Sequence, residues 1–126
     1  MDKRHLERIK TVQNLFAASF PDLKNNLPYN NDNLSKEILK NIKKIDDLIA
    51  LNAPKYPLNR IAKADLAILR LAVHELIINP TQPYKVVINE AIELAKEFGG
   101  ERSYAFVNAV LGTIFKNCKQ DDKKND

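Results

Sequence analysis

Between residues 64 and 78 the chain reads Ala-Asp-Leu-Ala-Ile-Leu-Arg-Leu-Ala-Val-His-Glu-Leu-Ile-Ile. Wound at helical spacing, Leu66, Ile68, Leu69, Leu71, Ala72, Val73, Leu76 and Ile77 cover most of the circumference. A helix that is apolar nearly all round needs neighbours on every side. This segment is therefore expected to be the central, buried helix of a packed bundle. Arg70 and His74 interrupt it, and it falls short of the roughly 18 apolar residues of a membrane span.

The rest of the chain supplies helices to surround it. Leu6, Ile9, Val12, Phe16 and Phe20 recur in steps of three and four, which predicts a first helix over 3–20, stopped by Pro21. Residues 21–33, rich in Asn, Asp and Pro, read as a loop. A second helix is expected over about 34–52, with Ile38, Ile42, Ile45 and Ile49 on one face. Lys36, Lys40, Lys43, Lys44 and Asp47 fall on the opposite face. Pro54 and Pro57 end it, and a short helical turn is expected over 58–62. Pro83 suits the first position of a helix over 84–98, burying Ile88, Ala91, Ile92, Ala95 and Phe98. Gly99-Gly100 is expected to stop that helix in a left-handed conformation. A last helix over 101–117 carries Phe106, Val107, Val110, Leu111, Ile114 and Phe115, followed by a polar tail, 119–126, expected to fray. Nothing alternates at period two for long enough to make a strand. The reading is all-α, with five or six helices in one domain.

Composition excludes several classes. A chain of 126 residues has room for one domain and for a core that needs no staple. One cysteine, Cys118, forms no internal disulfide and argues against a thiolate zinc site. The formal net charge of +4 permits an anionic partner without requiring one. The opening Met1-Asp2-Lys3-Arg4-His5 leads straight into an amphipathic pattern with no apolar signal core, so the expected location is cytoplasmic.

Catalytic groups are sparse. His5 and His74 have no nucleophile arrangement beside them, and no H-E-x-x-H, phosphate-binding loop or dinucleotide fingerprint is present. Glu90, Glu93 and Glu97 share the outer face of their helix and read as a solvated face. Asn89 and Asn108 read as amides tying helices or loops together. No enzyme activity, cofactor or metal is expected. The first helix is more informative. Lys3, Arg4, Arg8 and Lys10 crowd into ten residues with His5 among them. Arg4 and Arg8, one turn apart, are read as pointing away from the apolar stripe; this is either a patch where two guanidiniums grip adjacent phosphates of RNA or DNA, or an ordinary solvated face.

Three stretches carry a resemblance. They are Leu69-Arg70-Leu71-Ala72-Val73-His74-Glu75-Leu76, the long run from Pro83 to Gly99 (PYKVVINEAIELAKEFG), and Ser103 with Phe106-Val107-Asn108-Ala109-Val110-Leu111. Together with Val12-Gln13-Asn14-Leu15-Phe16 they resemble the NusB family of bacterial transcription antitermination factors. The likeness covers 3–20 and 58–115, while 21–57 matches only in helical character. It implies a compact all-α domain of five to seven helices in two small subdomains, an N-terminal part over 1–57 and a C-terminal part over 58–118. It implies no catalytic activity. It implies binding of boxA-type single-stranded RNA together with the ribosomal protein NusE. The pair joins elongating RNA polymerase with other Nus factors, chiefly on rRNA operons. Self-association is known in the family, so a homodimer stays open.

Carried over residue by residue, the family's arginine-rich motif falls on Lys3, Arg4, His5 and Arg8. The RNA-proximal segment after Gly99-Gly100 holds Arg102 and Phe106. The partner-binding positions are Phe16, Asp65 and Glu75. Arg102 stands where acidic or polar residues are common, His74 where Tyr is usual, and Gly112 where Asp is usual. Two other readings stay beside this one. The first is a protein-interaction module of the same fold with altered RNA binding. The second is a NusB-like domain of the kind attached to rRNA methyltransferases.

Overall fold

The computed structural model describes residues 2–124, with side chains to Cys118. The expected fraying of 119–126 falls where side chains, and at 125–126 the backbone too, lie outside the described residues. Six α-helices follow one another: α1 (Lys3–Ala18), α2 (Asn33–Lys40), α3 (Ile42–Asn52), α4 (Lys63–Val73), α5 (Tyr84–Phe98) and α6 (Ser103–Lys124). A 3₁₀ turn, Leu58–Arg60, precedes α4, and a π-helical turn, His74–Ile78, extends it. There is no strand among the described residues.

The central helix is where its composition puts it. Ile68, Leu69, Leu71 and Val73 are buried, and α1, α3, α5 and α6 all pack against α4. Ile38, Ile45 and Ile49 fill the core from α2 and α3, and Leu94, Val107, Leu111 and Ile114 from α5 and α6. Helix α1 runs antiparallel to α4: Arg8 near its start meets Glu75, and Phe20 just past its end lies under the Lys63 ammonium.

Several expectations shift. The single helix over 34–52 is broken at Asn41, whose side-chain Nδ2 donates back to the Glu37 carbonyl and whose own φ leaves the helical region. In α1 the buried face is centred on Arg8, Thr11, Val12 and Leu15, while Leu6 and Phe16 at the edges of the expected stripe are exposed. In α5 the buried set is Val87, Ala91, Leu94 and Ala95, and Phe98 is exposed. Asn89 and Asn108 are exposed and do not sit inside the packing. The amide that ties the fold is Asn14. It donates to the Tyr29 carbonyl at 2.8 Å and to Ser35 Oγ at 2.9 Å, and accepts from the Tyr29 N–H at 2.9 Å. Asp32 caps α2 and takes the Thr11 and Ser35 hydroxyls. This buried network pins the polar 21–33 loop to α1, leaving few polar groups unmade.

Gly99 also departs from expectation. Its backbone is extended (φ −97°, ψ −178°), and no described residue has positive φ. Glycine is needed there for closeness. A Cβ would collide with Ser103 and sit 2.7 Å from the Ala95 carbonyl.

Candidate nucleic-acid interface

The exposed cations expected to meet RNA begin at the N-terminus of α1, where the Asp2 carboxylate accepts from the Arg4 N–H and starts the helix. Lys3 and Arg4 are exposed. Among the described residues the Arg4 guanidinium has a neutral partner, donating from Nη1 to Gln82 Oε1 at 3.3 Å. Its charge is available to an anion.

One turn on, Arg8 is 8% exposed and does not stand beside Arg4 as an open pair. Nε donates to Glu75 Oε1 at 3.1 Å and Nη2 to Glu75 Oε2 at 3.0 Å, a forked ion pair, with Glu90 Oε2 3.9 Å from Nη1. Burial pulls the guanidinium down, but hydrogen bonding to Glu75 and the charges of Glu75 and Glu90 more than reverse it and raise its pKa. The reading of Arg8 as a free phosphate ligand is thus corrected. Helix α1 is rotated so that its aliphatic stem lies in the core and its charge is used internally. Glu75, expected at a partner surface, is buried and consumed by the same fork.

His5 bridges two carboxylates of α5, with Nδ1 2.9 Å from Glu90 Oε2 and Nε2 3.2 Å from Glu97 Oε1. The hydrogen bond with Glu90 raises the imidazole pKa, burial opposes it, and Glu97 adds to the rise. Glu90 and Glu97 therefore face α1 and are not a merely solvated face. Glu93 is the member of the three that pairs outward, with Lys96 at 3.7 Å.

Arg102 is exposed just before α6. Phe106 is half-buried and packs edge-to-face on Tyr56, ring centres 5.1 Å apart, above a groove of about 450 Å³ lined by Lys55, Val110 and Thr113 among others. Tyr56 lies in the weakly matching middle of the chain, and the sequence reading did not single it out; its one signal there is an aromatic side chain beside Pro57. Phe16 and Asp65 lie toward the opposite end of the α1–α4 pair from Arg8 and Glu75. Phe16 packs edge-to-face on Phe20 at 5.2 Å. Asp65, in the first turn of α4, is buried with Oδ1 lacking a hydrogen bond. Ten residues of helix, about 15 Å, separate it from Glu75. The three partner residues thus do not form one patch. No group of three or more His, Cys, Asp or Glu side chains among the described residues is arranged to hold a metal ion. No helix among them is long and apolar enough to cross a membrane.

Fold and site together define a small all-helical module whose accessible chemistry is a cationic helix end and aromatic or aliphatic grooves. The family model of the NusB family matches residues 3–116, and the chain belongs to that family. A transcription antitermination protein NusB of Bacillus licheniformis is 37% identical over 123 residues, covering 89% of this chain and 95% of the relative. That of Acetivibrio thermocellus is 46% identical over 81 residues, covering 64% of this chain, and the match spans only 56% of the relative's length. Among solved structures, T. maritima NusB superposes with a TM-score of 0.79 at 34% identity, covering 91% of this chain and 92% of that one. A structure of the antitermination factors NusB and NusE in complex with dsRNA shares the fold, with a TM-score of 0.74 at 22% identity, covering 92% of this chain and 99% of that one.

Proposed function

We propose that this protein is a transcription antitermination factor acting as one RNA-binding domain in the cytoplasm. It binds boxA-type single-stranded RNA together with NusE and joins elongating RNA polymerase with other Nus factors, chiefly on rRNA operons. It is a binding module and not an enzyme. The observation that carries the reading is the open cationic end of α1 in a chain matched by the NusB family model over residues 3–116. Lys3 and Arg4 are the accessible cations there, with Arg102 as a further one. His5 and Arg8 serve by tying α1 to α4 and α5, so that the open end is held rigidly.

Three phosphate contacts on a single strand give a salt slope of about −2 in log affinity against log salt, which is weak binding at physiological salt. A second protein supplying further contacts fits that weakness. The test is anisotropy of labelled boxA RNA at two salt concentrations, with and without NusE, beside a scrambled RNA. Sequence-dependent binding that strengthens with NusE is the expected result. Equal binding to both RNAs, or none with NusE present, sinks the reading.

The internal use of Arg8 and His5 favours one second reading, a protein-interaction module of this fold without boxA preference. It predicts binding of NusE alone. A second copy covering the RNA face is a further possible partner, and sedimentation across a range of concentrations decides it.

A further inference from the structure

The strongest feature outside the α1 site is the outer face of the α2–α3 junction. A groove of about 500 Å³ lies there, lined by Lys40, Lys43, Lys44, Asp47, Leu48 and Leu51. The groove crosses the break at Asn41: Lys40 reaches it from the last turn of α2, while in α3 residues a turn apart share a face. There one row runs Lys44, Leu48 and the other Lys43, Asp47, Leu51. Each begins basic and ends apolar. Leu51 is 76% exposed, the most exposed of the large apolar side chains in the described core and surface. The local acids are largely spoken for. Asp47 sits 3.4 Å from Lys43. Asp46 is held by the Arg70 fork at 2.9 and 3.0 Å. Lys40 and Lys44 therefore leave the groove with net positive charge beside an aliphatic floor.

We infer that this groove docks an acidic amphipathic helical segment of a partner protein. The segment's carboxylates meet Lys40 and Lys44, and its apolar residues cover Leu48 and Leu51. Charge complementarity selects this occupant. A second copy docked face to face sets Lys40 and Lys44 against the same lysines when the grooves run parallel, or against Leu48 and Leu51 when they run antiparallel, and neither arrangement supplies the lysines with carboxylates. Single-stranded nucleic acid is gripped by bases stacked on aromatic or guanidinium planes, and the groove lining has neither. A helix laid in a groove reads such rows as anchors one turn apart. The surface lies apart from α1 and does not depend on the RNA reading.

The test uses the full chain and a labelled synthetic helical peptide of about four turns. The peptide carries Glu at i and i+4 and Leu at i+8 and i+11, and a scrambled peptide of the same composition is the control. The ordered peptide is expected to bind saturably and about tenfold tighter than the scrambled one. Leu51→Ser weakens it by about tenfold, the lower end of what burying a leucine is worth. Lys40→Glu with Lys44→Glu weakens it further and reverses the preference toward a Lys-bearing peptide. All three side chains are exposed, and circular dichroism melting confirms the fold. Equal affinity for both peptides overturns the proposal, as does no change with Leu51→Ser. Displacement of the peptide by oligouridine assigns the face to nucleic acid instead. Dissociation of a dimer by Leu51→Ser assigns it to self-association. Binding of boxA RNA is expected to be unchanged in Leu51→Ser, so failure here and failure of the RNA reading are separable.

Discussion

Arg8 and Glu75, 67 residues apart, form a hydrogen-bonded fork that joins the first turns of α1 to the π-helical extension of α4. Both side chains are nearly removed from water, and Glu90 closes the third side at 3.9 Å. A forked guanidinium–carboxylate pair fixes orientation as well as distance. It therefore sets the rotation of α1 and decides which of its cations face outward.

Removing one member of this pair strands the other. Arg8→Ala is expected to destabilise the fold by about 3 kcal/mol, because Glu75 is left buried without its cation. Arg8→Leu combined with Glu75→Leu is expected to cost much less than the two single changes added together, since neither charge is then buried alone. Urea unfolding of the four proteins checks this. Additive losses dispose of the idea that the two side chains act as a unit.

His5 makes stability depend on pH. Its folded pKa lies above its unfolded value, so the folded protein holds the proton more tightly. The stabilisation is full below the unfolded value of about 6.5 and is lost as pH rises through the folded pKa. Wild type is thus expected to exceed His5→Gln in melting temperature by most near pH 6 (about half a unit below that reference value), with the gap shrinking as the solution becomes alkaline. A gap independent of pH shows that the imidazole stabilises by shape alone.

The central helix was legible because Ile68, Leu69, Leu71 and Val73 leave no polar face for water. The order of helices was legible from prolines and from apolar spacing. Periodicity says which residues share a face, but not how far that face is turned. Arg8 shows the limit: a charged side chain reads as exposed until a partner distant in sequence is known. Glu75, 67 residues away, is such a partner. Asn14 was missed for the same reason. Its partners Tyr29 and Ser35 lie in or beyond a loop whose path periodicity does not describe. Asn89 and Asn108 looked similar, but they sit on outer faces. The groove beside Leu51 was visible only as a lysine stripe, because the break at Asn41 that shapes it is a backbone event.

Three glycines separate three physical roles. Gly99→Ala is expected to cost about 1–3 kcal/mol, as overpacking does, since the Ala95 carbonyl 2.7 Å away cannot easily yield. Gly100→Ala meets nothing within 4 Å and should be neutral within about 0.5 kcal/mol. Gly112 lies exposed inside α6 with open space around it, so Gly112→Ala should stabilise by up to about 1 kcal/mol. Thermal melts of the three variants test the order. A stabilised Gly99→Ala is incompatible with the close approach seen at Ser103.

Arg4 and Arg8 are one turn apart and should fail in different ways. Arg4 is exposed and, among the described residues, its guanidinium bonds the neutral Gln82 amide, so Arg4→Ala removes an exposed charge from the proposed RNA face. Melting temperature should hold while affinity for boxA RNA falls and the salt slope shallows by about 0.7, one phosphate contact on a single strand. Arg8→Ala should instead lower the melting temperature first, with RNA affinity falling through the loosened seating of α1 and no comparable change in slope. Lys at position 8 restores charge without the fork and should recover little stability. Measuring slope and melting temperature on the same preparations separates the two roles. If Arg8→Ala shallows the slope with the fold intact, the guanidinium reaches RNA despite Glu75, and the internal ion pair must open on binding.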